Sequence, residues 1–153
     1  MKKLFYLLLL LPFTMLVSCD KEDDFSPVDV TITLSGVTQS NDNFYAIAGD
    51  EVSCVNIQAK AIDGKNTAIS NVSFYLNGML IPYTPYDPFF TISTEGMAPG
   101  TYTISFAANL LQEGSSIQVC AGSFTLTIVE SAENLPEGAP EIGSYSHTFS
   151  NSK

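Results

Sequence analysis

Apolar and polar residues alternate along most of the chain, and this period of two constrains the fold more than any other feature. Residues 28–35 read Val-Asp-Val-Thr-Ile-Thr-Leu-Ser, and similar runs follow at residues 72–77, 102–108 and 124–128. Successive side chains of a β-strand point to opposite faces, so each run predicts a strand with one buried face. No run after residue 27 has the spacing of an amphipathic helix.

Turn-forming residues separate these runs. Asn77-Gly78, between two apolar segments, is the strongest hairpin signal in the chain. Residues 36–43 and 109–116 interrupt the alternation, and we predict loops there. About seven short strands with such corners are typical of a β-sandwich. The prediction is therefore an all-β fold, a sandwich over residues 28–130.

The first residues have a different character. Met1-Lys2-Lys3 is cationic, and residues 4–17 are apolar except for Pro12 and Thr14. About 14 residues of helix span about 21 Å, which is short of the ~30 Å hydrocarbon core of a bilayer. A cationic start followed by a short apolar run predicts a secretory signal peptide over residues 1–18.

The end of this apolar run, Leu16-Val17-Ser18-Cys19, resembles the lipobox of bacterial lipoproteins. The resemblance implies that Cys19 carries a diacylglycerol, that cleavage falls before it, and that the membrane is a partner through this anchor. Two or three acyl chains, at ~0.8 kcal/mol per buried CH₂, give stable anchoring where one chain is marginal. The alternative is an ordinary secreted protein in which Cys19 is incidental.

An acidic stretch, Asp20 to Asp24, follows at once and contains four carboxylates. Asp directly after the lipidated Cys resembles an inner-membrane retention signal of enterobacterial lipoproteins. A cluster of acids instead resembles the surface-export signal of Bacteroidota lipoproteins, and the number of carboxylates favours this interpretation. It implies an outer-membrane protein exposed at the cell surface. The third possibility is a solvated spacer, and we assign residues 19–27 to an acidic linker.

Charge argues against a nucleic-acid partner. Without residues 1–18 the chain keeps four lysines, no arginine and sixteen acidic residues. Phosphate binding depends on clustered Lys and Arg, so no nucleic-acid partner is expected.

Three segments resemble bacterial immunoglobulin-like domains: residues 72–78 (Val-Ser-Phe-Tyr-Leu-Asn-Gly), 99–104 (Pro-Gly-Thr-Tyr-Thr-Ile) and 124–128 (Phe-Thr-Leu-Thr-Ile). The resemblance implies an immunoglobulin-like sandwich. It also places Tyr102 at a tyrosine corner, where the hydroxyl returns to the backbone before the strand; the alternative is a Tyr buried only for its area. The chain has no Trp, and Phe74 stands where antibody-type domains place one, which argues against a close antibody-like relative.

Cys54 and Cys120 could form a disulfide in an oxidising compartment. By the family's strand order they lie near opposite ends of the sandwich, ~15 Å apart along the strands, and a bridge needs Cα atoms within ~7 Å. Cys54 also has the opposite parity from Val55, Ile57 and Ala59, which we expect to share one face. We therefore expect two free thiols.

No catalytic set is recognisable. His147 is the only histidine, and the sequence contains no paired Cys, His-x-Glu or Gly-rich phosphate loop. Turn carboxylates such as Asp50, Glu51 and Asp63 lack the spacing of a calcium loop. We expect a protein that is not an enzyme and that has no cofactor and no metal.

The most suggestive surface residues are aromatic: Tyr75, Tyr83, Tyr86 and Phe89. Aromatic rings held by prolines make a platform for a sugar ring or a partner loop; alternatively, these rings cover the open end of the sandwich. We expect a non-enzymatic binding or accessory module for a glycan or a protein. The alternative is a structural or adhesive subunit that assembles through an edge strand. Residues 131–153 are assigned to a polar C-terminal tail, with an added strand near residues 142–149 left open.

Overall fold

The computed structural model describes residues 25–151. Its regular secondary structure is almost entirely β-strand. The strands are β1 (Val28–Ser40), β2 (Asn43–Ile47), β3 (Glu51–Ala61), β4 (Thr67–Leu76), β5 (Met79–Ile81), β6 (Phe90–Ser93), β7 (Gly100–Gln112), β8 (Gln118–Val129) and β9 (Gly143–Asn151). One short 3-10 turn, Ala132–Asn134, precedes β9. The predicted signal peptide, Cys19 and the acidic stretch lie outside the described residues.

The strands form two packed sheets. The first sheet has the order β9-β1-β3-β6, and the second has the order β5-β4-β7-β8-β2. The last residues of β1 pair with β2, so β1 joins both sheets. All pairs are antiparallel except β2 with β8. Strands β1, β3 and β6 face β4, β7 and β8, as strands A, B, E and C, F, G do in an immunoglobulin-like sandwich.

The predicted fold class is confirmed, but residues 25–151 contain nine strands rather than about seven. The two additional strands are β2, for which residues 44–47 indicated at most a short edge piece, and β9, which falls at residues 142–149, where an added strand was left open. The alternation also holds: Val28, Val30, Ile32 and Leu34 are at most 1% exposed. Together with the inward residues of the second sheet, such as Phe74 and Phe106, they form one continuous core.

The loop predicted at residues 36–43 is wrong, because β1 continues to Ser40. Gly36 has φ +81°, and a Cβ there would lie 2.1 Å from the backbone oxygen of Glu51. This glycine permits close approach of β3 inside the sheet and does not end the strand. The turn is confined to Asn41 and Asp42, both with positive φ.

The loop predicted at residues 109–116 is also wrong for its first half, because β7 extends to Gln112. Leu110 is fully buried, while Leu111 is 43% exposed on the opposite face. Gln112 is buried although it is polar, because its amide hydrogen-bonds to both backbone groups of Ser26. The alternation of inward and outward side chains therefore continues to the end of β7, but the sequence pattern does not show it because the inward residue Gln112 is polar.

A β-bulge reverses the face of the sheet that simple alternation predicts for Cys54. Leu34 pairs with Cys54 and Thr33 pairs with Asn56, so Val55 is the extra residue between them. The bulge turns Cys54 inward, where it is fully buried. The prediction that Cys54 points away from the core is therefore wrong.

The segment assigned to a polar tail contains β9, which pairs with β1 over almost its whole length. Phe149 points inward, and its ring centroid lies 4.8 Å from that of Phe106. A Cβ on Gly122 would lie 2.7 Å from the Phe149 ring, so the absence of a side chain there makes room for it. The added strand that the sequence left open is therefore present and contributes to the core.

Candidate functional site

One side of the sandwich has unpaired strand edges. β5 pairs only with Phe74 to Leu76 of β4, and β6 pairs only with Glu51 to Cys54 of β3. Within the described part, no strand pairs with the remaining edges, residues 67–73 of β4 and 55–61 of β3. We call this side, bounded by these two edges, the open flank.

The loop of residues 82–89 crosses the open flank. It leaves β5 at Pro82, which has no N–H for a further ladder hydrogen bond. It joins β3 where the Phe89 N–H donates to the Cys54 carbonyl at 2.8 Å. Inside the loop, the Thr84 hydroxyl lies 2.9 Å from the carbonyl oxygens of Tyr86 and Pro88. The loop therefore has its own hydrogen bonds and does not depend on a ligand for its conformation.

Beneath this loop lies a cleft of about 330 Å³, which we call the flank cleft. Most of its lining side chains are apolar and none is charged, but polar and apolar atoms share the exposed surface about equally. The lining residues are Ile57, Ala59, Ile69, Ser70, Val72, Tyr83, Pro85 and Phe89. Such a surface suits an apolar side chain or the face of a sugar ring, with backbone groups of the strand edges available for hydrogen bonds.

The structure brings together two of the four predicted ligand-binding aromatics. The rings of Tyr83 and Phe89 are nearly parallel, with an interplanar angle of 14° and centroids 6.3 Å apart. Phe74 packs near Tyr83 from the core side, at 6.4 Å. Tyr83 remains 36% exposed. This pair forms an aromatic wall of the flank cleft.

The other two predicted aromatics lie elsewhere. Tyr86 is in the same loop and is 77% exposed, but among residues 25–151 it makes no ring contact. Tyr75 follows the inward Phe74 in β4, so it lies on the outer face of the second sheet. The sequence did not identify Ile57, Ala59 and Ile69 as site residues. The signal that could have found them is the shortness of β5, which Pro82 ends.

The two thiols are unsuited to nucleophilic chemistry. Cys54 and Cys120 are both free and buried. Burial raises the pKa of Cys54 to about 12, and burial also raises the pKa of the Cys120 thiol. Thiolate is the reactive form, so neither side chain is a nucleophile near neutral pH.

Tyr102 lies apart from the flank cleft. Its hydroxyl donates a hydrogen bond to the carbonyl oxygen of Ala98 at 2.7 Å. This is the bond expected at a tyrosine corner, and it ties the turn before β7 to the strand.

The Asp63 carboxylate accepts hydrogen bonds that stabilise the loop between β3 and β4. It accepts hydrogen bonds from the Ser26 hydroxyl at 2.5 Å and the Lys65 N–H at 3.1 Å. The bond from Ser26, followed by that from Lys65, lowers the pKa of the Asp63 carboxyl. Across residues 25–151, no three His, Cys, Asp or Glu side chains are placed to hold a metal ion together.

Within the same residues, no helix has the length and apolarity to cross a membrane. A scan against models of protein families and a search of curated protein sequences found no match to this chain.

Proposed function

We propose that this chain is a lipid-anchored, non-enzymatic binding module displayed on the outer membrane, and that its ligand is a glycan or a protein that occupies the flank cleft. The observation that carries the ligand site is the uncharged cleft with its aromatic wall of Tyr83 and Phe89. The anchor and the location rest on the lipobox at Cys19 and the acidic residues after it.

The aromatic pair supports binding rather than mere coverage of the core. Phe74 beneath the pair is already fully buried, yet Tyr83 keeps over a third of its surface in water. An aromatic ring with an exposed face and a polar hydroxyl is well suited to stack on a sugar or to contact a partner. Because no charged side chain lines the cleft, the ligand's contacting portion is neutral.

The ligand site is tested by Tyr83→Ala, with Tyr75→Ala as the matched control on the outer face of the second sheet. On a glycan array, Tyr83→Ala is expected to weaken binding by about tenfold or more, because it removes half of the aromatic wall. Tyr75→Ala is expected to bind like the unsubstituted protein. Glycan binding that survives Tyr83→Ala, or an array with no bound glycan for the unsubstituted protein, would rule out the glycan form of the proposal.

The open flank also favours a second candidate function, a structural or adhesive subunit that assembles through an edge strand. Charged side chains and prolines usually protect an exposed strand edge from pairing with another chain. Residues 67–73 of β4 include neither. The exposed substitution Ala68→Lys would then abolish concentration-dependent oligomers in sedimentation experiments. Ala121→Lys, the same exposed change on β8, would leave them intact. A protein that stays monomeric at all concentrations would contradict this second function.

A further inference from the structure

Large apolar side chains are exposed at the end of the sandwich where the chain arrives from the linker. Ile62 is 67% exposed, Ile117 60%, Val119 58% and Leu111 43%. We call these four residues the apolar rim. Single exposed apolar residues are ordinary on a protein surface, but several at one end indicate a contact with something apolar.

Hydrogen bonds place the rim beside the start of the described chain. The Ile62 N–H donates to the Pro27 carbonyl at 3.0 Å. On the other sheet, Gln112 follows Leu111 and binds the backbone N–H of Ser26 at 2.7 Å. The point where the linker ends therefore lies between Ile62 and the end of β7.

Strand pairing gathers the other three rim residues on the outer face of the second sheet. Asn109 pairs with Val119, and the ladder ends where Leu110 pairs with Gln118. Leu111 directly follows this last pair on β7, and Ile117 directly precedes Gln118, the first residue of β8. The neighbours Leu110 and Cys120 are buried. Since side chains alternate between the faces of a sheet, Leu111 and Val119 share the outward face, and the exposed Ile117 lies directly before the strand that carries Val119.

The linker is too short to hold this end far from the lipid. Five residues lie between Cys19 and Phe25, and a fully extended chain spans at most about 21 Å from one to the other. The 13 residues of β1 extend over about 43 Å. An acylated Cys19 at the membrane surface thus keeps the rim closer to the lipid than the opposite end, where the Asn77-Gly78 hairpin turn lies.

We propose that the apolar rim rests on the lipid bilayer and that Ile62, Leu111, Ile117 and Val119 insert into its interfacial region. This inference rests on the proposed acylation of Cys19. The anchor supplies a high effective concentration, so a contact too weak to bind free protein is sufficient.

The charges around the rim favour a zwitterionic surface. Asp63 and Glu113 lie in the two loops that carry or adjoin the rim, and the linker adds four carboxylates. These acidic groups outnumber the lysines at the same end, Lys21, Lys60 and Lys65. Anionic lipid would repel these groups. The rim therefore contacts lipid through its apolar side chains, and the contact weakens as anionic lipid is added. Seated in this way, the sandwich stands on its end and the flank cleft faces sideways, accessible to a ligand.

The absence of tryptophan from the chain allows a direct test with single reporters. Ile117→Trp places a reporter in the rim, and Met79→Trp places one at an exposed position (75%) beside the Asn77-Gly78 turn. The full acylated chain is reconstituted in phosphatidylcholine vesicles with brominated acyl chains. Quenching of at least about twofold is expected for Ile117→Trp, since bromine quenches only rings at the depth of the acyl chains. Met79→Trp is expected to remain unquenched.

Flotation of the same vesicles tests the lipid anchor at Cys19 separately from the contact between the rim and the bilayer. Protein that floats while Ile117→Trp is unquenched, or while both reporters are quenched equally, would overturn the rim contact and leave the anchor standing. Protein that fails to float would overturn both proposals. Adding Ile62→Lys to Ile117→Trp should reduce quenching without changing flotation, whereas Leu80→Lys should change neither.

Discussion

A few single residues determine how the strands of this chain fit together. At these positions two backbones approach closely, or a bulge changes the face of the sheet to which the following side chains point. Gly36 lies where β3 comes within a Cβ's reach of β1, and Val55 forms the bulge that turns Cys54 inward. Neither effect is visible in the alternation of apolar residues. A glycine within a strand and a glycine within a turn look alike in sequence, and a bulge requires a partner strand to define it.

The role of Gly36 is tested by comparing Gly36→Ala with Gly49→Ala. Both glycines have positive φ, but a Cβ at Gly49 meets nothing within 4 Å. We expect Gly49→Ala to lower the free energy of unfolding by about 1–2 kcal/mol, the cost of backbone strain. Gly36→Ala adds a clash with the Glu51 backbone and should cost about 3 kcal/mol or more. Urea denaturation measures both, and equal losses would show that no close approach exists at Gly36.

Asp63 predicts a pH dependence. The hydrogen bonds from Ser26 and Lys65 lower the pKa of the Asp63 carboxyl in the folded state. Ionised Asp63 therefore stabilises the fold at pH values above its ordinary pKa of 3.8. This stabilisation disappears as the pH falls through the folded-state pKa. We expect Asp63→Asn to be less stable than the unsubstituted protein at pH 7 and to match it near pH 2. Thermal melts across this range measure the difference. A gap that stays constant with pH would contradict the assignment.

At the level of strands, the sequence predicted most elements and misplaced several ends. The inward faces of β1, β4, β7 and β8 followed from alternation alone, and the hairpin followed from its turn-forming pair, Asn77-Gly78. The end of β7 was missed because Gln112 is a buried polar residue that only a distant partner, Ser26, could explain. The C-terminal strand β9 was uncertain because serines and glycine dilute its apolar residues.

The contribution of β9 can be measured at Phe149, whose ring packs against Phe106 and lies 6.1 Å from Phe124. Phe149→Ala is expected to lower the free energy of unfolding by about 2–3 kcal/mol through lost burial and a residual cavity. Thr148→Ala, on the outer face of the same strand, should change it by less than about 1 kcal/mol. Chemical denaturation of both variants provides the comparison. Similar small losses would mean that β9 does not contribute to the core.

At the level of the whole molecule, the fold class was predictable and the site only partly so. The aromatic residues of loop 82–89 were recognisable because prolines flank them. The cleft beneath them lies between two strand edges, 55–61 and 67–73, that follow each other in sequence but belong to different sheets. It forms because no strand of the described part pairs with either edge. That information exists only once the sheets are assembled.

The same assembled core makes the thiols reporters of global unfolding. In a Cys19→Ser variant, Cys54 and Cys120 should resist iodoacetamide under native conditions, because both are buried and the pKa of Cys54 is about 12. Both should react in concentrated urea, which mass spectrometry would detect as two added carbamidomethyl groups. Rapid native labelling, or a native mass two daltons lower that a reductant restores, would contradict the burial or the free thiols.

The pairing of β1 with β9 has a practical consequence for protein engineering. Val28 lies opposite Asn151, so both chain ends leave the sandwich side by side, at the linker end. A passenger protein fused after Asn151 would be confined next to the tether. A peptide inserted between Asn77 and Gly78 would instead be presented at the opposite pole, in a turn that forms no part of the core. For display on a cell, this hairpin is therefore the preferable insertion point.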